Sequence, residues 1–146
     1  MNKTIYVALA LTAVLLIFGL YRTNNKTIER SNSPTKESLD LVETEPVPPG
    51  DYVTIPKVIL SKPGFVMIHK AEGDYPGEIV MTGDIIPVGE SKNVVVRGVK
   101  TKSGESYFAM LHFDDGNGKY DNPSVDPPVT KGSSIVEEKF MISSPF

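Results

Sequence analysis

The sequence predicts an all-β protein: an immunoglobulin-like antiparallel β-sandwich preceded by one N-terminal transmembrane helix and a disordered linker. Three observations carry this prediction. Residues 4–21, "TIYVALALTAVLLIFGLY", contain no charge. Residues 22–50 are polar, charged and end in the proline-rich "EPVPPG". From residue 51 onward, short β-branched and aromatic runs alternate with turns bearing glycine and proline, the pattern of a sandwich or barrel.

The first element is the anchor, residues 1–21. As a helix the uncharged run would be about 27 Å long, close to the roughly 30 Å of a hydrocarbon core. Lys3 and Arg22 bracket it, and Tyr6 and Tyr21 suit the two interfaces. A cleaved signal peptide is the competing reading. Its small-residue cleavage motif is out of place, because Ala8-Leu9-Ala10 lies inside the apolar run and Gly19-Leu20-Tyr21-Arg22 is a poor exit. Orientation carries a conflict. Arg22, Lys26, Arg30 and Lys36 follow the run, which by charge alone would keep the C-terminal side in the cytoplasm. An N-terminal anchor ahead of a folded domain usually exports that domain, and export across the cell membrane is the expectation adopted.

The second element is the linker, residues 22–50. Few large apolar side chains occur there, so burial cannot offset chain entropy and disorder is expected. Such a chain would tether the membrane anchor to a domain over residues 51–146.

Within that domain the predicted strands are "YVTIPKVIL", "FVMIHKA", "EIVMTG", "NVVVRGV", "SYFAMLHF" and "SIVEEKFMIS". Pro56 and Pro87 point to strand ends, edges or bulges, since proline cannot donate to a ladder. The net charge of −3 provides no basic field, so nucleic acid is not an expected partner. The absence of cysteine excludes disulfides, thiolate metal sites and a lipid-modified cysteine.

Two runs are near copies. "FVMIH" (residues 65–69) and "FAMLH" (residues 108–112) each place Phe, Met and His on one strand face and hold the only two histidines. If the strands pair in register, His69 and His112 with the methionines form a soft site for copper. The plainer reading is a pair of core strands, each ending at a histidine. A blue-copper centre needs cysteine, so copper ranks behind the other readings.

The stretch "HFDDGNGKYDNPSVD" (residues 112–126) is the richest in oxygen ligands. Taking Asp115 as position one puts Asn117 at three, Lys119 at five, Asp121 at seven and Asp126 at twelve, the spacing of a calcium loop. Asp114 is a substitute ligand. The departures are a lysine that offers only its carbonyl, Tyr120 where glycine is required, an aspartate at the close, and no flanking helices. A metal-free turn explains the same residues: Gly116 and Gly118 permit positive φ and Asn117 favours turns. The two readings stay open, the metal-free turn slightly ahead.

Taken in series, "KPGFVMIHKA", "IIPVGESKNVVV", "YFAMLHFDDGNGKYD", "DPPV" and "KFMIS" resemble an uncharacterised β-sandwich domain of secreted and surface-anchored proteins, archaeal (notably halophilic) and in part bacterial. The resemblance implies an extracytoplasmic, immunoglobulin-like module and brings no activity with it.

No catalytic constellation is visible, and an enzyme is disfavoured. Glu137 and Glu138 are adjacent and cannot share a strand face as an acid/base pair. Two function classes follow. One is an anchored envelope module that binds protein or glycan or is structural. The other is an extracytoplasmic metal-binding protein, with calcium preferred over copper.

Overall fold

The computed structural model describes residues 39–143. The expected anchor, residues 1–21, and residues 22–38 of the expected linker lie outside the described residues. Among the described residues no helix is long and apolar enough to cross a membrane. The described chain is all β, with antiparallel sheets.

Among the described residues nine strands form in order: β1 (Leu41–Glu43), β2 (Tyr52–Leu60), β3 (Gly64–Glu72), β4 (Tyr75–Thr82), β5 (Gly89–Arg97), β6 (Ser106–Phe113), β7 (Thr130–Lys131), β8 (Ser134–Ile135) and β9 (Glu137–Met141). One sheet has the order β1-β2-β5, a second the order β4-β3-β6-β9, and β7 pairs with β8 as a small ribbon. The two larger sheets share one apolar core. Val53, Ile55, Val58, Leu60 and Val96 come from the first sheet, and Val66, Ile68, Tyr107, Ala109, Leu111 and Phe140 from the second. Strand alternation makes this inevitable, because each strand can aim only every second side chain inward.

The folded domain starts earlier than residue 51, which corrects the expected linker boundary. Leu41–Glu43 pairs with β2, Leu41 opposite Ile59. Val42 and Val47 are buried in the shared core. The Asp40 carboxylate accepts hydrogen bonds from the Ser61 backbone N–H and hydroxyl, the latter at 2.9 Å. So residues 39–50 are part of the domain, despite their polar composition, because two valines and one carboxylate find partners in it.

Pro56 lies in the middle of β2, a strand paired on both sides. The ladder to β5 runs through Ile55↔Val94 and Lys57↔Lys92 and is interrupted between them. Asn93, at the interruption, has φ +53°. Proline's missing N–H is accommodated by breaking the ladder locally rather than by ending the strand.

Candidate metal centre

β3 and β6 are neighbours at the middle of the four-stranded sheet. Their register sets Phe65 opposite His112, Met67 opposite Met110, and His69 opposite Phe108. The intervening residues Val66, Ile68, Ala109 and Leu111 fill the core between the sheets. The Phe, Met and His side chains therefore lie on the other, outer face of the sheet. An outer face is ordinarily wet. Here all six residues are buried.

Two side chains roof this outer layer. Tyr120, from the Asp-rich loop after β6, meets Phe65 edge-on at 6.0 Å and His112 edge-on at 5.5 Å between ring centroids. Lys139 of β9 lies over the Phe108 ring at 5.7 Å. The loop returns alongside β6, with the Phe113 N–H donating to the Pro127 carbonyl at 3.0 Å and the Val129 N–H to the Leu111 carbonyl at 2.8 Å.

The histidines come together. His69 and His112 belong to rows four residues apart on the ladder, about 14 Å at 3.4 Å per residue. Yet their ring centroids are 6.2 Å apart, with planes inclined by 16°. Both rings therefore lean inward over the row between them, which is the Met67–Met110 pair.

Each ring is held by a backbone carbonyl at Nδ1. His69 Nδ1 donates to the Gly77 carbonyl at 2.8 Å, and His112 Nδ1 donates to the Asp126 carbonyl at 2.8 Å. A carbonyl can only accept, so in the neutral ring the proton sits on Nδ1 and Nε2 keeps its lone pair. Burial is the main cause that holds His112 below its ordinary pKa, with the nearby His69 adding to it against the Asp126 hydrogen bond. The register shifts on either side of His69 in the β3–β4 ladder accompany its bond to the Gly77 carbonyl.

Among the described residues, four buried polar atoms have no hydrogen-bond partner: His69 Nε2, His112 Nε2, Tyr120 Oη and Glu137 Oε2. They belong to one neighbourhood. Glu137 pairs with Met110 and so shares its face. Burial raises the Glu137 pKa, while the charge of His69 acts in the opposite direction. Orphaned buried polar groups carry a desolvation penalty of about 1–3 kcal/mol each, so four in one place call for an occupant.

The Asp-rich loop is arranged differently from the expected calcium shell. Asp126 is fully buried, and its two carboxylate oxygens accept the backbone N–H groups of Asp115 at 3.1 Å and Asp121 at 2.7 Å. Asp115 Oδ1 accepts the Asn117 N–H, and Asn117 Oδ1 accepts the Lys119 N–H. Asn117 Nδ2 donates to Asp121 Oδ2 at 2.7 Å. Gly116 and Gly118 take φ of +110° and +74°. Of the five expected ligands, Asp115 and Asp126 do draw together, with Asp114, so that one oxygen of each lies within 4.8 Å of the others. Asp121 is not in that group.

Sequence reading located His69, His112, Met67 and Met110 but missed their roof. Tyr120 registered there only as a defect in a calcium pattern, and Glu137 as half of an unsuitable pair. Nothing local in the sequence signals that a loop residue eight positions after His112 will cover it.

A family described as "Domain of unknown function (DUF7282)" matches residues 41–143, nearly all of the described chain. No curated protein and no solved structure matches.

Proposed function

The chain belongs to the family described as Domain of unknown function (DUF7282), and from that premise we propose that it is a metal-binding module, exported and held at the cell membrane by its N-terminal apolar segment. The ion is bound by Nε2 of His69 and Nε2 of His112. One observation carries the reading: two imidazoles, each fixed by a carbonyl at Nδ1, leave Nε2 without a hydrogen-bond partner in a buried layer. A second hydrogen bond that sets tautomer and orientation is how proteins prepare histidine for a metal. With a metal–nitrogen bond of about 2 Å at each ring, two imidazoles that share one ion have centroids roughly 5–6 Å apart. The spacing of 6.2 Å lies just above that range. Glu137 would supply a compensating negative charge from within the same layer.

The sandwich reads as immunoglobulin-like. The order β1-β2-β5 corresponds to strands A-B-E, and β9-β6-β3-β4 to G-F-C-C′. On that frame the site sits on the outer face of the C and F strands, under the loop that joins F to G.

A buried water is the competing occupant, because two to four polar partners are what such a water needs. Nitrogen-15 spectra of the histidine rings separate the two. Both rings should show Nδ1–H tautomers without metal, and both Nε2 resonances should shift on addition of one equivalent of a thiophilic or borderline ion. Equilibrium dialysis of a His69→Gln, His112→Gln double variant should show that equivalent lost. Retention of the wild-type spectrum in excess metal would identify a water site and end this reading. The grouping of Asp114, Asp115 and Asp126 supports a second reading, a weak calcium site.

A further inference from the structure

We propose that the ion is monovalent copper, held by the two imidazole nitrogens together with the thioether sulfurs of Met67 and Met110. This rests on the imidazole reading above and specifies its metal.

The first ground is placement. Met67 and Met110 are direct cross-strand partners, where side chains stand about 4.5–5.5 Å apart at Cβ. Their row is midway between the rows of the two histidines, and both rings lean over it. An ion held between the two rings would therefore lie over the row of the methionine pair. Met67 is wholly buried and Met110 nearly so, so neither thioether is exposed to solvent.

The second ground is the chemistry of the surroundings. Among the described residues, the group of three carboxyl or imidazole ligands close enough to share an ion is Asp114, Asp115 and Asp126, and it contains neither histidine. No pair of carboxylates therefore joins the imidazoles to make a site for a hard cation. What surrounds them is two thioethers, two phenylalanines and a tyrosine ring. Soft thioether donors select monovalent copper, whereas oxygen donors suit calcium, magnesium and manganese.

The third ground is charge. The desolvation energy of an ion scales with the square of its charge, so a divalent ion costs about four times as much as a monovalent one in the same buried site. Glu137 is a half-buried carboxylate of this layer, and the buried Asp126 carboxylate beside His112 is already engaged by two backbone N–H groups. Four neutral donors bring no charge of their own to offset a second positive charge on the ion, so the donor set itself favours a monovalent ion. Binding to neutral rings through Nε2 consumes no electron and releases no proton.

The test uses the full chain in detergent. It is titrated under anaerobic conditions with monovalent copper against a chromogenic chelator, and separately with divalent zinc and divalent copper. One equivalent of monovalent copper should bind, at least about tenfold tighter than zinc, and X-ray absorption should show both nitrogen and sulfur neighbours. A Met67→Leu, Met110→Leu variant keeps the packing volume, since leucine and methionine exchange at small cost. It should lose at least about tenfold in monovalent copper affinity, keep its zinc affinity, and show no sulfur neighbour. Equal or tighter zinc binding, or a variant that keeps its copper affinity, would overturn the thioether assignment and leave the imidazole site standing. Absence of binding for all three ions would overturn both.

Discussion

At the scale of single residues, the protein separates buried polar groups that are satisfied from those that are not. Asp126 and the Nδ1 atoms of both histidines have partners, and the buried Nε2 atoms have none. Tyr107 shows the satisfied case. Its hydroxyl donates to Glu105 at 2.8 Å. Burial first, and that bond second, push its pKa up to about 12. The ordinary phenol value is near 10. A raised folded-state pKa gives stability that is complete below the unfolded value and lost as pH climbs through the folded one. Unfolding free energy should thus fall between pH 10 and 12, and Tyr107→Phe should make that fall shallower. Denaturant melts of both proteins at pH 8, 10 and 11.5 decide the matter. Parallel losses would mean that Tyr107 ionises freely in the folded state.

At the scale of elements, the loop over residues 114–128 is a lid organised around Asp126. Its carboxylate holds two stretches of the loop by their N–H groups while its carbonyl holds His112. Asp126→Ala strands two amides and should destabilise the domain by about 2–4 kcal/mol, given the larger worth of bonds to charged groups. It should also weaken metal binding at His112. Asp114→Ala, at a half-exposed position where the carboxylate accepts the Gly118 N–H, should cost under about 1 kcal/mol. Calcium has its own readout at this scale. If Asp114, Asp115 and Asp126 hold it, a tenfold excess over Kd should add about 1.4 kcal/mol, and melting curves in millimolar calcium and in chelator would separate. Superimposed curves would make the loop a lid alone. Gly64 belongs to the same element junction. A β-carbon there would lie 2.2 Å from the His112 carbonyl oxygen, a backbone atom that cannot move aside cheaply. Gly64→Ala should therefore cost several kcal/mol, roughly the range of overpacking substitutions or above it.

At the scale of the molecule, the domain boundary matters most. β1 and residues 44–50 contribute Val42 and Val47 to the shared core. Removal of everything before residue 51 should cost about 3 kcal/mol or more, from two buried valines at roughly 1.5–3 kcal/mol each. Limited proteolysis of the full chain should accordingly yield a stable fragment that begins before Asp40. A stable product starting at Asp51 would contradict this. The same protease, added outside intact cells, should release the domain if export holds. Release only after the cytoplasmic membrane is opened would reverse the orientation.

The β content and the strand positions could be read from the sequence because alternation and turn residues are local signals. "FVMIH" and "FAMLH" announced themselves as strands, and β3 and β6 lie where those runs are. The turn character of Gly116 and Gly118 was legible for the same reason, since positive φ is a property of one residue. The start of the domain was not legible, because residues 39–50 fold through contacts with Ser61, Ile59 and the core rather than through their own composition. Nor was the meeting of His69 with His112. Alternation placed each histidine on a strand face, but a period of two cannot say which face is the core, what register pairs the strands, or what covers the face left over. Those were decided by the antiparallel register of β3 on β6 and by a loop that brings Tyr120 and the Asp126 carbonyl back onto them, both of which are long-range contacts.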